Sequence, residues 1–165
     1  GAITFELREA KAYDEAAVKK AQKPIPSCRG ARPKAIRRND GNEAASRLRQ
    51  WPCQIKLIPT DAPYLDGSHL LIAADCTAFA YGSFHDDFIR GRITLIGCPK
   101  LDGCDYAEKL TAIISSNDIK SVKVVRMDVP CCSGIEAAAK KALRASGKIL
   151  PFEVVTITTD GKILY

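Results

Sequence analysis

The sequence predicts an α/β domain of three layers with a mainly parallel sheet, and two observations carry that prediction. The part of the chain after Ser68 alternates strand-like and helix-like segments, which is typical of such a domain. Three of the strand-like runs are rich in Ile, Val and Leu and end on cysteine, at Cys76, at Cys98 and at the pair Cys131–Cys132. Since the carboxyl ends of parallel strands open on one edge of the sheet, we expect these cysteines to meet there.

The elements follow from hydrophobic periodicity and from turn residues. In the α/β part, the predicted strands are 69–75, 92–97, 121–129 and 152–164, the last turning at Asp160-Gly161, and the predicted helical segments are 77–91, 105–117 and 133–147. Asp105 with Glu108, and Ser133 with Glu136, have the spacing of capping boxes, and Gly147 is placed to end the last helix.

The first third of the chain is less regular. We predict a strand over 2–10, a short helix over 13–22, an irregular linker over 23–42, a helix over 43–51 and an edge strand over 54–59 between two prolines. The chain therefore divides into a strand and short helix over 1–22, a basic linker over 23–50 and the α/β domain over 51–165.

The net charge of +6 is concentrated in the linker, where eight basic residues face two acidic ones. A local surplus without interleaved aromatic residues does not indicate a nucleic-acid surface. It is consistent with a solvated connecting segment or with a docking surface for an acidic partner such as a ferredoxin. The apolar runs are too short to span a membrane, and no secretory signal is recognised.

The seven cysteines are an odd number in a chain too large to need disulfide staples. This usage favours a reducing cytoplasm, with cysteine used for metal binding or chemistry. Zinc and iron–sulfur clusters need about four ligands and prefer thiolates. The candidate metal ligands are Cys76, Cys98, Cys131 and Cys132, with Cys28 able to fold in from the linker.

Other candidate residues are more ambiguous. Cys132 precedes a predicted helix, whose amino end is expected to stabilise a thiolate. Cys104 fits either a site residue or a plain polar turn, and His85 fits a fourth ligand, a proton donor or a surface or capping histidine. Asp75 fits either an orienting residue or a helix cap, and Cys53 is assigned to packing. The pattern is Rossmann-like, but no Gly-rich nucleotide-binding fingerprint follows any strand, which argues against nicotinamide or nucleotide chemistry.

A resemblance to a known family extends over essentially the whole chain. It is carried by five strings: LRQWPCQIKLIPTDAPYLDG, LLIAADCTAFAYGSFH, IGCPKLD, EKL and VVRMDVPCCSGIEAAAKKAL. The sequence resembles the C-terminal domain of a family of two-cluster 4Fe–4S ferredoxin-like proteins from anaerobic prokaryotes. The ADC, GCPK and VPCC motifs occur in that family in the same order. Where the family has a Cys-Pro-Gly motif in the linker, this chain has Cys28-Arg29-Gly30, which lacks the proline.

The resemblance implies that residues 1–22 follow a ferredoxin domain, whose cluster ligands would precede this chain. The strand over residues 2–9 would then be poorly anchored here. The resemblance further implies an iron–sulfur or electron-transfer protein, with that ferredoxin domain as partner and a 4Fe–4S cluster as a candidate cofactor. Two alternatives remain open: a thiol redox enzyme that uses Cys131 or Cys132, and a protein-binding module without metal.

Overall fold

The computed structural model describes residues 34–36 and 45–164. The predicted strand over 2–10, the predicted helix over 13–22, Cys28 and most of the basic linker lie outside the described residues. In the described part, no helix is both long enough and apolar enough to cross a membrane.

The centre of the fold is a five-stranded sheet in the order β4-β3-β5-β6-β7. The first four of these strands are parallel, and β7 runs antiparallel to β6. A separate antiparallel pair joins β1 to β2. The strands are β1 (Lys34–Ala35), β2 (Gln50–Trp51), β3 (His69–Ala74), β4 (Ile93–Gly97), β5 (Ser121–Met127), β6 (Phe152–Ile157) and β7 (Ile163–Leu164).

The helices cover both faces of this sheet. They are α1 (Thr77–Ala80), α2 (Ala107–Ser116) and α3 (Ser133–Ser146), with a π-helical turn at His85–Ile89 and a 3-10 turn at Pro130–Cys132. On one face α2 and α3 bury Leu110 and Ile135 against Ile72 and Val124. On the other face, Phe84 and Phe88 of the first crossover pack with apolar sheet residues. The three-layer, Rossmann-like α/β fold predicted from the sequence is therefore confirmed.

Two boundaries predicted from glycines, the end of the last helix and the turn within the last strand segment, are found as expected. Helix α3 ends at Gly147, whose backbone is left-handed with φ of 68°, a conformation that glycine adopts without strain. The turn at Asp160-Gly161 folds β7 back against β6. In contrast, Ser133 does not form the predicted capping box, because its hydroxyl donates to the Pro130 carbonyl while Glu136 pairs with Arg126 of β5.

Two other predicted elements are wrong. The helix predicted over 43–51 is absent from its described part, where residues 45–49 have no regular structure and lead into β2. Gln50 is fully buried there and donates a side-chain hydrogen bond to the carbonyl of Thr94 in β4. This tertiary contact outweighs the favourable helix propensity of the segment, because propensity is only a weak constraint beside tertiary contacts.

The edge strand predicted over 54–59 is reduced to one parallel bridge between Gln54 and Ile96, after which the chain turns. Its predicted place is nevertheless occupied, since Ile96 donates its N–H to Cys53 and accepts a hydrogen bond from Ile55 along the outer side of β4. Pro52 and Pro59 flank this short segment, and proline cannot donate to a longer ladder.

Candidate functional site

The sheet reverses its direction of growth between β3 and β5. The connection after β3 leads to β4 on one side, and the connection after β5 leads to β6 on the other. In open α/β sheets, ligands bind in the crevice at such a switch point, outside the carboxyl ends of the strands. Cys76 follows β3, and the turn that holds Cys131 and Cys132 follows β5.

Cys132 is the buried cysteine at this edge of the sheet. Its side chain is 4% exposed and packs with Met127 and the apolar residues of the first crossover. Burial raises the pKa of its thiol, and the neighbouring thiols of Cys131 and Cys76 raise it further, whereas a backbone hydrogen bond at Met127 acts in the opposite direction. Cys131 and Cys76 are therefore close enough to Cys132 to affect the pKa of its thiol.

The pKa of Cys132 corrects one expectation. The sequence predicted that the amino end of α3 would favour the thiolate, but desolvation dominates and favours the neutral thiol. Cys76 and Cys131 are both exposed, whereas Cys132 is buried, so the first two are the accessible thiols.

Cys98 begins the loop that flanks the crevice, and we call residues 98–104 the Cys98 loop. Cys98 is half-buried, and its carbonyl accepts hydrogen bonds from the N–H groups of Leu101 at 3.1 Å and Asp102 at 2.9 Å. The side chain of Pro99 lies against Gly134 in the first turn of α3. The Cys98 loop is thus in contact with the segment that immediately follows Cys132.

These cysteines have the donor chemistry that soft metals prefer. Within residues 34–36 and 45–164, however, no three His, Cys, Asp or Glu side chains are arranged as a metal site. Cys76 follows β3, Cys131 and Cys132 follow the adjacent strand β5, and Cys98 follows β4 on the other side of β3. Cys28 lies outside the described residues.

A polar cluster that the sequence did not reveal lies beside β4. The Tyr106 hydroxyl donates to Asp102, and burial together with this bond raises the pKa of Tyr106. Burial and the nearby carboxylate of Asp102 raise the pKa of Asp75, while a hydrogen bond from Gln54 lowers it. One carboxylate oxygen of Asp75 is buried without a hydrogen-bond partner among the described residues.

The helical spacing of the sequence marked Tyr106 only as a core residue, because periodicity reports burial and gives no information on the hydroxyl. The sequence contained one signal for this contact, namely the glycine Gly97 at the end of the apolar run of β4. A Cβ on Gly97 would lie 2.6 Å from the Tyr106 hydroxyl oxygen, so the absent side chain makes room for that group.

The remaining candidate residues, Cys53, Cys104 and His85, lie on other elements of the fold. Cys53 is half-buried beside β4, and burial raises its pKa. Cys104 is exposed and lines a surface cavity of about 500 Å³ together with Ile55 and Tyr106. The Nδ1 atom of His85 accepts the N–H of Arg47 at 3.1 Å, which attaches the end of the linker to the first crossover.

Little of the basic linker is described, and one of its arginines is structural. Arg47 is 7% exposed and donates from Nε to Asp86 at 2.8 Å. With Arg49 and Arg90 it lines a small cavity of about 110 Å³. Arg47 therefore stabilises the attachment of the linker, and the docking surface predicted for the segment stays a prediction.

Comparison with known proteins gives one family and one relative. A family described as a Rossmann-like domain matches residues 62–165. An uncharacterized protein of Archaeoglobus fulgidus is 32% identical over 117 residues, which cover 70% of this chain and 82% of that protein. No solved structure matches the chain significantly.

Proposed function

The chain belongs to the Rossmann-like domain family, and we propose that it is a redox module that binds a soft metal ion or an iron–sulfur cluster at the carboxyl edge of its sheet. The observation that supports the proposal is the strand order, which puts the turn with Cys76 after β3 beside the turn with Cys131 and Cys132 after β5. The effect of Cys131 and Cys76 on the pKa of Cys132 agrees with it. This is where ligands bind in such folds, and thiolates are the ligands of clusters and of structural zinc.

In this proposal Cys76, Cys131 and Cys132 are three of the ligands, and Cys98 is the fourth, with Cys28 as a further candidate. A bound cluster would supply a one-electron donor and acceptor. The apolar surroundings of Cys132 would keep water from one side of the site, which is one of the properties that set a reduction potential. Because the thiols must lose their protons to bind a metal, loading should release protons into solution.

The resemblance to ferredoxin-like proteins suggests the electron partner. We propose that a ferredoxin domain of the same protein exchanges electrons with this site, and that the basic linker over 23–50 contacts an acidic redox partner. The exposed position of Cys76 and Cys131 supports this, since a site open on one side allows close approach of a partner.

A second candidate function is a metal-free thiol couple. It is favoured by the adjacency of Cys131 and Cys132 in the chain and by the effect of Cys131 and Cys76 on the pKa of the Cys132 thiol. In that case two of the three thiols would form a disulfide and pass two electrons and two protons to an oxidised partner such as a disulfide or a flavin.

Anaerobic reconstitution with ferrous iron and sulfide separates the two functions. The metal-binding proposal predicts bound iron and visible charge-transfer absorption that are lost in Cys98→Ser and Cys132→Ser but kept in Cys53→Ser. Cys53 is the matched control, and its replacement is expected to cost only about 1 kcal/mol of folding stability. Equal iron content in all variants would contradict the proposal, and reversible loss of two thiols on oxidation without metal would support the thiol couple.

A further inference from the structure

We infer that Tyr106 and Gly134 are positioning residues that hold the Cys98 loop against the turn of Cys131 and Cys132. The inference rests on the proposed function, in which Cys98 is the fourth ligand. It assigns roles to two residues outside the cysteine cluster, neither of which would touch the metal.

The first contact is the hydrogen bond from Tyr106 to Asp102. Tyr106 is 2% exposed at the start of α2, so its ring is fixed in the core. Asp102 is bonded twice, since its carboxylate accepts from Tyr106 while its N–H donates to the carbonyl of Cys98. The backbone of Cys98 is thereby connected, through one residue, to a rigid part of the core.

The position of the Tyr106 hydroxyl strengthens this contact. It lies over Gly97, the residue directly before Cys98, at 2.6 Å from the place that a Cβ would occupy. The Cys98 loop is therefore held at its start by close approach to Tyr106 and four residues later by the bond to Asp102.

The second contact is made by Pro99. Its Cβ lies 3.0 Å from the place that a Cβ on Gly134 would occupy, so the close approach depends on the absent side chain of Gly134. Gly134 lies two residues after Cys132. The Pro99–Gly134 contact thus sets the distance between the backbone of the Cys98 loop and the backbone that carries Cys132.

Cadmium(II) is a suitable soft probe, because its thiolate complexes absorb in the ultraviolet and need no sulfide. Tyr106→Phe removes only the hydroxyl, and we expect it to weaken Cd²⁺ binding by about tenfold, the lower end of the effect of losing a supporting hydrogen bond around a metal site. In the metal-free protein the same substitution should speed alkylation of Cys98 several-fold, measured by mass spectrometry of the Cys98 peptide.

Tyr64→Phe is the matched control for this variant. The Tyr64 hydroxyl is also buried, but it has no hydrogen-bond partner among the described residues. Its removal should change neither Cd²⁺ affinity nor the alkylation of Cys98.

Gly134→Ala tests the second contact. Alanine favours a helix more than glycine does, so a merely structural role of Gly134 predicts a higher melting temperature and unchanged Cd²⁺ affinity. The positioning role predicts weaker Cd²⁺ binding, because the new Cβ pushes Pro99 outward by a few tenths of an ångström. The control is Gly82→Ala, since a Cβ at Gly82 meets nothing within 4 Å.

The outcomes distinguish a failure of the positioning role from a failure of the proposed metal-binding function. Wild-type affinity and wild-type Cys98 alkylation in both Tyr106→Phe and Gly134→Ala would overturn the positioning role. If Cys98→Ser binds Cd²⁺ as tightly as the wild type does, the proposed function fails instead, and the alkylation rates of Cys98 still decide whether the two residues position the loop.

Discussion

At the scale of single residues, burial decides the chemistry of the crevice. Cys132 is buried while Cys76 and Cys131 are exposed, and the apolar side chains around Cys132 favour its neutral thiol. A helix amino end stabilises a nearby negative charge, but that stabilisation is small beside the cost of taking an ion out of water. The exposed thiols of Cys76 and Cys131 and the buried thiol of Cys132 should therefore differ in reactivity.

We predict that iodoacetamide at pH 7 alkylates Cys76 and Cys131 well before Cys132. Only the thiolate reacts, and the pKa of Cys132 is raised by burial and by its two thiol neighbours. Because the folded state holds this proton more tightly than the unfolded state does, its contribution to stability is complete below the ordinary thiol pKa of about 8.5 and is lost as pH rises above it. Peptide mass spectrometry at pH 7 and pH 9 checks the order of labelling, and faster labelling of Cys132 than of Cys76 at pH 7 would contradict it.

Asp75 provides a second prediction at this scale. Burial and the carboxylate of Asp102 raise its pKa, so its ionised form at pH 7 opposes folding. Asp75→Asn should raise the melting temperature at pH 7 by an amount equivalent to about 1 kcal/mol or less, since the side chain is only half-buried. The gain should shrink as pH falls toward the ordinary aspartate pKa of about 3.9, because the destabilisation that a raised pKa causes is present only above that value. Thermal melts between pH 4 and pH 7 test this against Asp61→Asn at an exposed position, and a lower melting temperature for Asp75→Asn at pH 7 would be inconsistent with it.

At the scale of elements, the β6–β7 hairpin is attached to the first crossover through a glycine. Gly161 has φ of 81°, and a Cβ there would overlap the carbonyl oxygen of Ala80 at the end of α1. The backbone of Ala80 cannot move aside as a flexible side chain could. This close approach therefore packs the last two strands against the crossover that follows Cys76.

We predict that Gly161→Ala destabilises the protein more than Gly91→Ala does. Gly91 has a similar positive φ of 74°, but a Cβ there meets nothing within 4 Å. Both variants carry the backbone strain of about 1 kcal/mol for an L residue at positive φ, and only Gly161→Ala adds a steric overlap. Urea unfolding of the two variants gives the difference, and equal midpoints would show that the contact with Ala80 has no energetic importance.

The elements also show how far the sequence predicts the structure. The buried strands and the helices α2 and α3 were predictable, because a run of apolar residues or a helical period is a local property. The helix predicted over 43–51 failed because Gln50 is held by Thr94 in a distant strand, a contact that no local pattern reports. The hydrogen bond of Tyr106 was missed for the same reason.

At the scale of the whole molecule, strand order is the property that defines the site. The sequence indicated that the strand-end cysteines share one edge, but it did not give their order along that edge. The observed order places β3 next to β5, so the turns with Cys76 and Cys132 are neighbours, while Pro99, directly after Cys98, contacts Gly134 in α3. Order depends on long-range pairing, which single-sequence patterns do not encode.

The central claim is that a soft metal is bound by Cys76, Cys98, Cys131 and Cys132 together. X-ray absorption spectroscopy of the zinc-loaded or iron-loaded protein tests this claim most directly. The account predicts a first shell composed of sulfur, at about 2.3 Å for zinc. It further predicts that Cys98→Ser and Cys132→Ser each lower the sulfur coordination number by one, while Cys53→Ser leaves it unchanged. A first shell dominated by nitrogen or oxygen, or one that is identical in all three variants, would contradict the account.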